Sequence, residues 1–470
     1  MNINDLPQLE GDIIAQDFSK PVLESVSRWS STGIIERPAL TIIPNTEEDI
    51  IKAIEYAKEH ALQLLPVGGG HGFLAPITSK TLYLDLKRFN KVEVDSDNQT
   101  VAVGGGAVTS DLIKTCTERG FYTTWPNSNA VGVVGCILGG GNPTLLGLHG
   151  LMIDHVLSIR LVTSDKRIVD VSPSSTGDDL ALFHALCGAG HGLGVITSLT
   201  MRIFPLENLR LSENQVWVRR LIFPASEIEF AAKLFDQLQP PPPPMVTLLV
   251  FARAPPTAPK PGAPMVILTV TYFGPPEEAE ARTSTLFEDE TVAKAIMVQA
   301  VLTPLSKIND GNSQNDVHGG FKNIQAAWIK ETQAETIKAA FGKWLDFTTQ
   351  YEDAKRTAMI LNGVNTQKQL EIQGTSEGRD RYFDARDRGI QAVVISWFTK
   401  QETRPAAADF AASIKALYRQ NDATDIPRTI LNNINLDMEL GEVFSEYRVT
   451  ELKRLANVWD PSGLFWRPWN

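Results

Sequence analysis

The stretch LLPVGGGHGFLAP, Leu64 to Pro76, runs an apolar segment into glycines at 68, 69, 70 and 72 with His71 set among them. Glycine permits backbone geometries that other residues resist and lets a ligand approach the main chain closely. Consecutive amides in such a loop form a concavity suited to an anion. His71 is then either a cap that closes a tight turn or an imidazole that acts on what the amides hold. Two more glycine clusters follow, Gly135–Gly141 and Gly188–Gly194. None has the spacing of a standard nucleotide site. GAGHGLG departs from G-x-G-x-x-G, GGGHGFLAP opens no helix, and no G-x-x-x-x-G-K-[ST] occurs.

The elements around these loops can be read from periodicity. ALTIIP and LQLLPV are short buried strands flanking a helix in NTEEDIIKAIEYAKEH, for which Asn45 and Glu48 suggest a capping box. TLYLDL is a strand, and KVEVDSDNQTVAVGGG reads as two strands joined at Asp97-Asn98. Thr109 to Arg119 is helical and stops at Gly120, Val156 to Thr163 is a strand, and DDLALFHALCGAGHGLGVITSLTMRIF is a helix, a glycine loop and a strand. Composition changes near Leu206. Two proline-rich stretches then flank the strand MVTLLVFAR, MVILTVTYF and QAVVISWF are further strands, and TIKAAFGKWLDFTTQY and ADFAASIKALYRQ are helices. The tail carries an amphipathic VTELKRLANV and a turn at Asp460–Gly463.

The 470 residues exceed one compact core, and 43% apolar with 21% charged residues is ordinary for a globular chain. A formal charge of −11 and no basic run argue against a nucleic-acid partner. No apolar window approaches a membrane span. Three cysteines, without C-x-x-C spacing, predict neither a disulfide framework nor a metal site. The N-terminus lacks a signal-peptide pattern, so a complete chain is expected in the cytoplasm, and a trimmed one outside the cell.

PVGGGHG, AVGGGAVTSDL, VGVVGCILGGG…GLHGLMIDHVLSIRLV and LFHALCGAGHGLGVIT occur in that order, and LKRLANVWDPSGLF closes the chain. Together they closely resemble the vanillyl-alcohol-oxidase/para-cresol-methylhydroxylase superfamily of FAD-binding proteins, and within it the berberine-bridge-enzyme-like oxidases. The resemblance implies an α+β flavoprotein of two domains. Residues 1–206 would form an FAD-binding domain, to which 426–470 return, and 207–425 an antiparallel-sheet substrate domain covered by helices. The flavin ring would sit between them. FAD pyrophosphate would lie on the amides of Val67, Gly68, Gly69, Gly70, His71 and Gly72. Further cofactor contacts would come from Pro126, Ser128, Val131, Gly132, Gly135, Cys136, Leu138, Gly139, Gly140 and Asn142. His149, Leu151, Gly194, Val195 and Ile196 would complete the set.

In relatives the histidine of GGH bonds covalently to the flavin 8α-methyl carbon, a position held here by His71. A second link, through cysteine, falls on Ser128, whose hydroxyl is far less nucleophilic than a thiolate. The resemblance therefore implies FAD with a single tether. Cys136 reads as a small buried hydrophobe, and Asp154 matches a family aspartate that steadies its loop. Relatives take their catalytic base from a tyrosine or glutamate of the substrate sheet or from a tyrosine near the histidine. Phe73 replaces that tyrosine, and Arg448 stands at the asparagine of a C-terminal Y-G-x-N segment. Tyr122, Asp316, His318 and Tyr447 remain as candidate bases.

The activity implied is oxidation of a small organic molecule at a carbon bearing oxygen or nitrogen. A hydride would pass to flavin N5, and dioxygen would return the flavin to its oxidised form with release of hydrogen peroxide. An oxidative cyclase and a flavin-bound cyclase or scaffold without redox turnover are the alternatives.

Overall fold

A computed structural model describes residues 8–422, 426–434 and 439–469. Its strands form three main sheets. The first has four strands in the order Asp12–Ile14, Leu40–Ile43, Thr81–Asp85, Gln63–Val67, with the last two pairings parallel. The second is antiparallel, in the order Val92–Asp95, Thr100–Gly104, Val195–Arg202, Val156–Val162, Ile168–Val171. The third has seven antiparallel strands, all drawn from the middle of the chain. Its order is Met297–Pro304, Gln215–Pro224, Pro264–Tyr272, Met245–Arg253, Ala358–Gly363, Ile390–Phe398, Phe321–Ile329.

The parallel pairing of the first sheet follows from its crossover helix, Glu47–Glu59. The helix is capped one residue later than the sequence suggests. Thr46 accepts from the Asp49 amide, and the Asp49 carboxylate takes amides of Asn45, Thr46, Glu10 and Gly11. Its short side chain sits at the position that gathers four donors, so Asn45 and Glu48 lose the role expected of them.

The first two sheets meet through glycine. A Cβ on Gly104, Gly105 or Gly106 would lie 2.1, 2.2 or 2.0 Å from the carbonyl oxygen of Phe89, Ile196 or Leu86 respectively. No side chain fits where backbones approach this closely.

The third sheet alternates. Leu221, Phe223, Leu249, Phe251, Val266 and Leu268 point to one face and are buried with the helices Ile228–Gln237, Ala334–Gln350 and Arg404–Gln420. The intervening residues point the other way, and Val216, Val246, Ala326 and Trp328 among them join the core of the second sheet. The end of the chain returns to the first two sheets. Helix Glu446–Trp459 packs on Gly177–Ala189, the Trp459 carbonyl accepts from Ser164 Oγ at 2.7 Å, and the Leu464 carbonyl accepts from the Leu64 amide at 2.9 Å.

A buried ion pair joins the two halves. Arg386 donates to both oxygens of Asp154 at 2.9 and 2.6 Å, and Asp154 also accepts from the Leu151 amide. The two side chains are 1% and 2% exposed. Removing one partner leaves an uncompensated buried charge. Arg386→Met should lower the unfolding free energy by about 3–5 kcal/mol in urea titrations. Arg454→Met, at an open surface pair with Asp178, should change it by less than about 1 kcal/mol.

Candidate active site

The glycine loop leaves the Gln63–Val67 strand and turns at Gly70, whose φ is +70°. Gly69 packs backbone to backbone on the second cluster, since its Cβ would lie 2.4 Å from the Gly132 nitrogen. Gly68 meets Gly105 in the same way, at 2.8 Å from its carbonyl oxygen. None of the amides of Gly68, Gly69, Gly70, His71 and Gly72 donates to an acceptor among the described residues. Five consecutive donors turned away from protein acceptors are a cradle for an anion. A Cβ on Gly135, in the neighbouring cluster, would meet nothing within 4 Å. These residues fit the pyrophosphate of a dinucleotide.

His71, within the run, is half-buried. Its ring stacks on Trp29 with centroids 5.7 Å apart, and its Nδ1 lies 3.4 Å from the Gly69 carbonyl. Burial pulls its pKa down to about 4, with His318 and Lys322 adding to the effect, so the imidazole is neutral at pH 7. His318 meets His71 edge-on at 5.9 Å, and its own Nδ1 is engaged by Ser27 Oγ at 2.8 Å. Ser128 donates to Asp316 at 2.6 Å, and burial raises the Asp316 pKa. The structure thus brings His71, His318, Ser128 and Asp316 to one region.

The segment Arg28–Thr32 holds that region together. The Trp29 amide donates to Gly70 at 3.0 Å and Arg28 donates to the carbonyls of Gly72 and Ala75. On its other side the amides of Gly319 and Ser31 bond Arg28 and Gly320, and Ser30 and Thr32 bond the Lys322 carbonyl. Lys322 is buried, donates to the Trp29 carbonyl at 2.7 Å and lies 4.8 Å from the Trp29 ring. Sequence reasoning missed Arg28, Trp29 and Lys322. They belong to no motif, and their roles arise only from the close meeting of distant segments.

The other expected residues divide. Pro126 and Val131 offer their carbonyls to Asn309 Nδ2 and to the Thr109 amide. Gly139 and Gly140 pack against Asn432 and Phe383. Leu138 packs on Gly190. Asn142 exchanges hydrogen bonds with Gln391 of the third sheet at 2.7 and 3.2 Å. Burial pushes the Cys136 thiol up to about 12, which keeps it protonated. Gly194 sits on Leu161 and Val162, and Val195 and Ile196 run in the second sheet against Gly105. In the third glycine cluster, Gly188, Gly190, Gly192 and Gly194 are packed by protein atoms.

Two candidate bases lie elsewhere. Tyr447 is 78% exposed on the outer face of the terminal helix, so it reaches no site. Its neighbour Arg448 bonds the carbonyls of Arg381 and Arg379. Tyr122 is buried, its hydroxyl 2.9 Å from His149 Nε2, while His149 stacks on Phe204 at 4.1 Å. That pair is internal packing, and neither residue lines the cleft. Phe73 is buried edge-on to Trp29.

The cleft itself has a volume of about 270 Å³. The free face of the third sheet forms one wall. Asn127, Asn142–Thr144, Lys307–Asn309, Gly311 and Asn312 form the others.

Residues 38–172 match the FAD binding domain family. The FAD-linked oxidoreductase hasG of Aspergillus fumigatus is 29% identical across 97% of this chain and 96% of its own. The FAD-linked oxidoreductase azaG of Aspergillus niger is 34% identical across 61% of this chain and 58% of its own. Among solved structures, BBE-like 1 of Physcomitrella patens superposes with a TM-score of 0.79 at 16% identity, over 98% of this chain and 96% of its own. 6-Hydroxy-D-nicotine oxidase of Arthrobacter nicotinovorans gives 0.78 at 19% identity, over 98% of each chain. Sheet order, amide cradle and these likenesses define a flavoprotein built on an FAD-binding domain and a helix-backed sheet. The chain is an FAD-linked oxidoreductase that carries an FAD-binding domain, and its fold is that of the solved berberine-bridge-enzyme-like proteins.

Buried neutral histidines give stability a definite pH dependence. Burial lowers His149 to about 3 and His191 to about 4, against about 6.5 in an unfolded chain. Between those values the unfolded chain binds more protons, so stability rises with pH across this window. It is fully present above about pH 6.5 and is lost on acidification. Thermal melts by circular dichroism should show the melting temperature falling from pH 6.5 toward pH 4. His149→Gln should flatten that slope.

Proposed function

We propose that this oxidoreductase removes a hydride from a carbon bearing oxygen or nitrogen in a small organic molecule, using FAD tethered once, through His71. The observation that carries the reading is the run of five unpaired amides that contains a neutral imidazole. FAD, when bound, supplies an electron-pair acceptor at ring N5 that dioxygen restores with release of hydrogen peroxide.

The protein's own residues do the remainder. The Gly68–Gly72 amides hold the pyrophosphate, and Gly135 leaves room beside them. Trp29 fixes the His71 ring by stacking, and burial keeps a nitrogen lone pair available to the flavin methyl carbon. Ser128, with its hydroxyl given to Asp316, offers no thiolate, and the Cys136 thiol stays protonated, so no second tether forms. Partial desolvation lowers the His318 pKa, and Ser27 engages its Nδ1, leaving Nε2 to accept the proton that accompanies hydride loss.

Acid denaturation tests the tether. Yellow colour should stay with the unmodified polypeptide and leave His71→Ala, while Ser128→Ala should retain it. Free flavin released from the unmodified protein would refute the single bond. His318→Asn should slow flavin reduction about 10²-fold or more in anaerobic stopped flow.

A further inference from the structure

One transverse row of the third sheet is polar almost throughout. Gln299 pairs with Arg220, Arg220 with Thr269, Thr269 with Leu248, Leu248 with Asn362 and Asn362 with Gln391. Because side chains alternate, all six share the face that walls the cleft. Asn362 donates to Gln391 at 3.0 Å, and Gln391 in turn bonds Asn142 across the cleft. That end of the row is linked by hydrogen bonds, although the Asn362 Oδ1 is buried without a partner.

Arg220 is different. It makes no hydrogen bond, ion pair or ring contact among the described residues, although it lies inside the cleft. It reaches from the sheet to the facing turn, where its Nη2 lies 3.7 Å from the place a Cβ on Gly311 would occupy. Glycine at 311 leaves that approach open. Lys307 is the second cation at the cleft, and no aspartate or glutamate lines it. Asp310, on the same turn, is bonded to Asn129. In a chain with formal charge −11, a cleft with two cations and no carboxylate is a local inversion of sign.

The adjacent row has the opposite character. Val301, Val218, Thr271 and Val246 pair in sequence across the sheet and line the cleft about 7 Å from the polar row. An aliphatic strip therefore borders the unpaired guanidinium.

We propose that the cleft selects an organic acid with an apolar body, its carboxylate bound by Arg220 and its hydrocarbon part laid along the Val301–Val246 strip. The inference rests on the oxidase reading above and narrows its substrate class. A planar guanidinium matches a carboxylate in two parallel hydrogen bonds. An ammonium substrate would meet like charge and no counter-ion.

Binding to the oxidised holoprotein, read as perturbation of the flavin absorption band, tests this with phenylbutyrate and phenylbutylamine as probes. Phenylbutyrate should bind, with affinity that falls as sodium chloride rises, and phenylbutylamine should not perturb the band over the same range. Arg220→Gln should weaken phenylbutyrate about tenfold or more, and Arg220→Lys less, because the charge survives without the fork. Flavin content per chain should be unchanged in both variants. Equal or tighter binding of the amine, no response to the acid, or an unchanged affinity in Arg220→Gln would overturn the proposal. So would loss of FAD from Arg220→Gln, which would assign the guanidinium to the cofactor. If Arg220→Gln fails to fold, an unchanged affinity in Arg220→Lys overturns it equally. Unmodified protein that binds no FAD would instead defeat the oxidase reading itself.

Discussion

The architecture depends on main chains meeting with no side chain between them. Gly68, Gly69, Gly104, Gly105, Gly106 and Gly132 lie where a Cβ would press within 2.0–2.8 Å of a neighbouring backbone atom. Real side chains cannot occupy such gaps, so a methyl group at several of these positions would drive two sheets apart. This packing exposes the edge of the Gly68–Gly72 loop as a row of amides. The same glycines therefore join the sheets and build the anion cradle, and neither property can be varied alone.

Burial then sets the chemistry of what surrounds the cradle. His71, His149 and His191 lie in surroundings that disfavour the imidazolium form, and Cys136 in one that disfavours the thiolate. A neutral histidine keeps its lone pair, and a protonated thiol lacks its reactive form. One desolvation effect thus leaves the imidazole lone pair free and the thiol in its unreactive form. Only His71 combines that neutrality with a place in the amide run, whereas His149 is spent on Tyr122 and Phe204.

Legibility in the sequence followed the range of the interaction. The glycine loop, His71, the first crossover helix and the strands Thr81–Asp85 and Val156–Val162 are set by local pattern and could be read directly. The capping residue was displaced by one because Asp49 gathers the amides of Glu10 and Gly11 from a distant turn. Strands Gln215–Pro224, Met297–Pro304, Phe321–Ile329 and Ala358–Gly363 were not singled out. Gln215–Pro224 and Met297–Pro304 carry polar cleft-wall residues such as Arg220 and Gln299 among apolar ones, which blurs the alternation a one-faced strand shows. Tyr447 carried an attractive residue type in an attractive position along the chain, but its helix turns it to solvent. Arg28, Trp29 and Lys322 act through contacts spanning more than 40 to almost 300 positions, for which no local signal exists.

The five residues Arg28–Thr32 touch the amide loop on one side and the Gly319–Lys322 backbone on the other. They belong by sequence to one half of the molecule and by bonding to both. Recombination between relatives has to respect that seam. A chimera that exchanges the sheet of one protein for another's, cut at the natural crossovers, keeps a foreign clasp against the new Lys322 strand. The mismatch would open beside His71, so the clasp and the strand it grips form one inheritable unit.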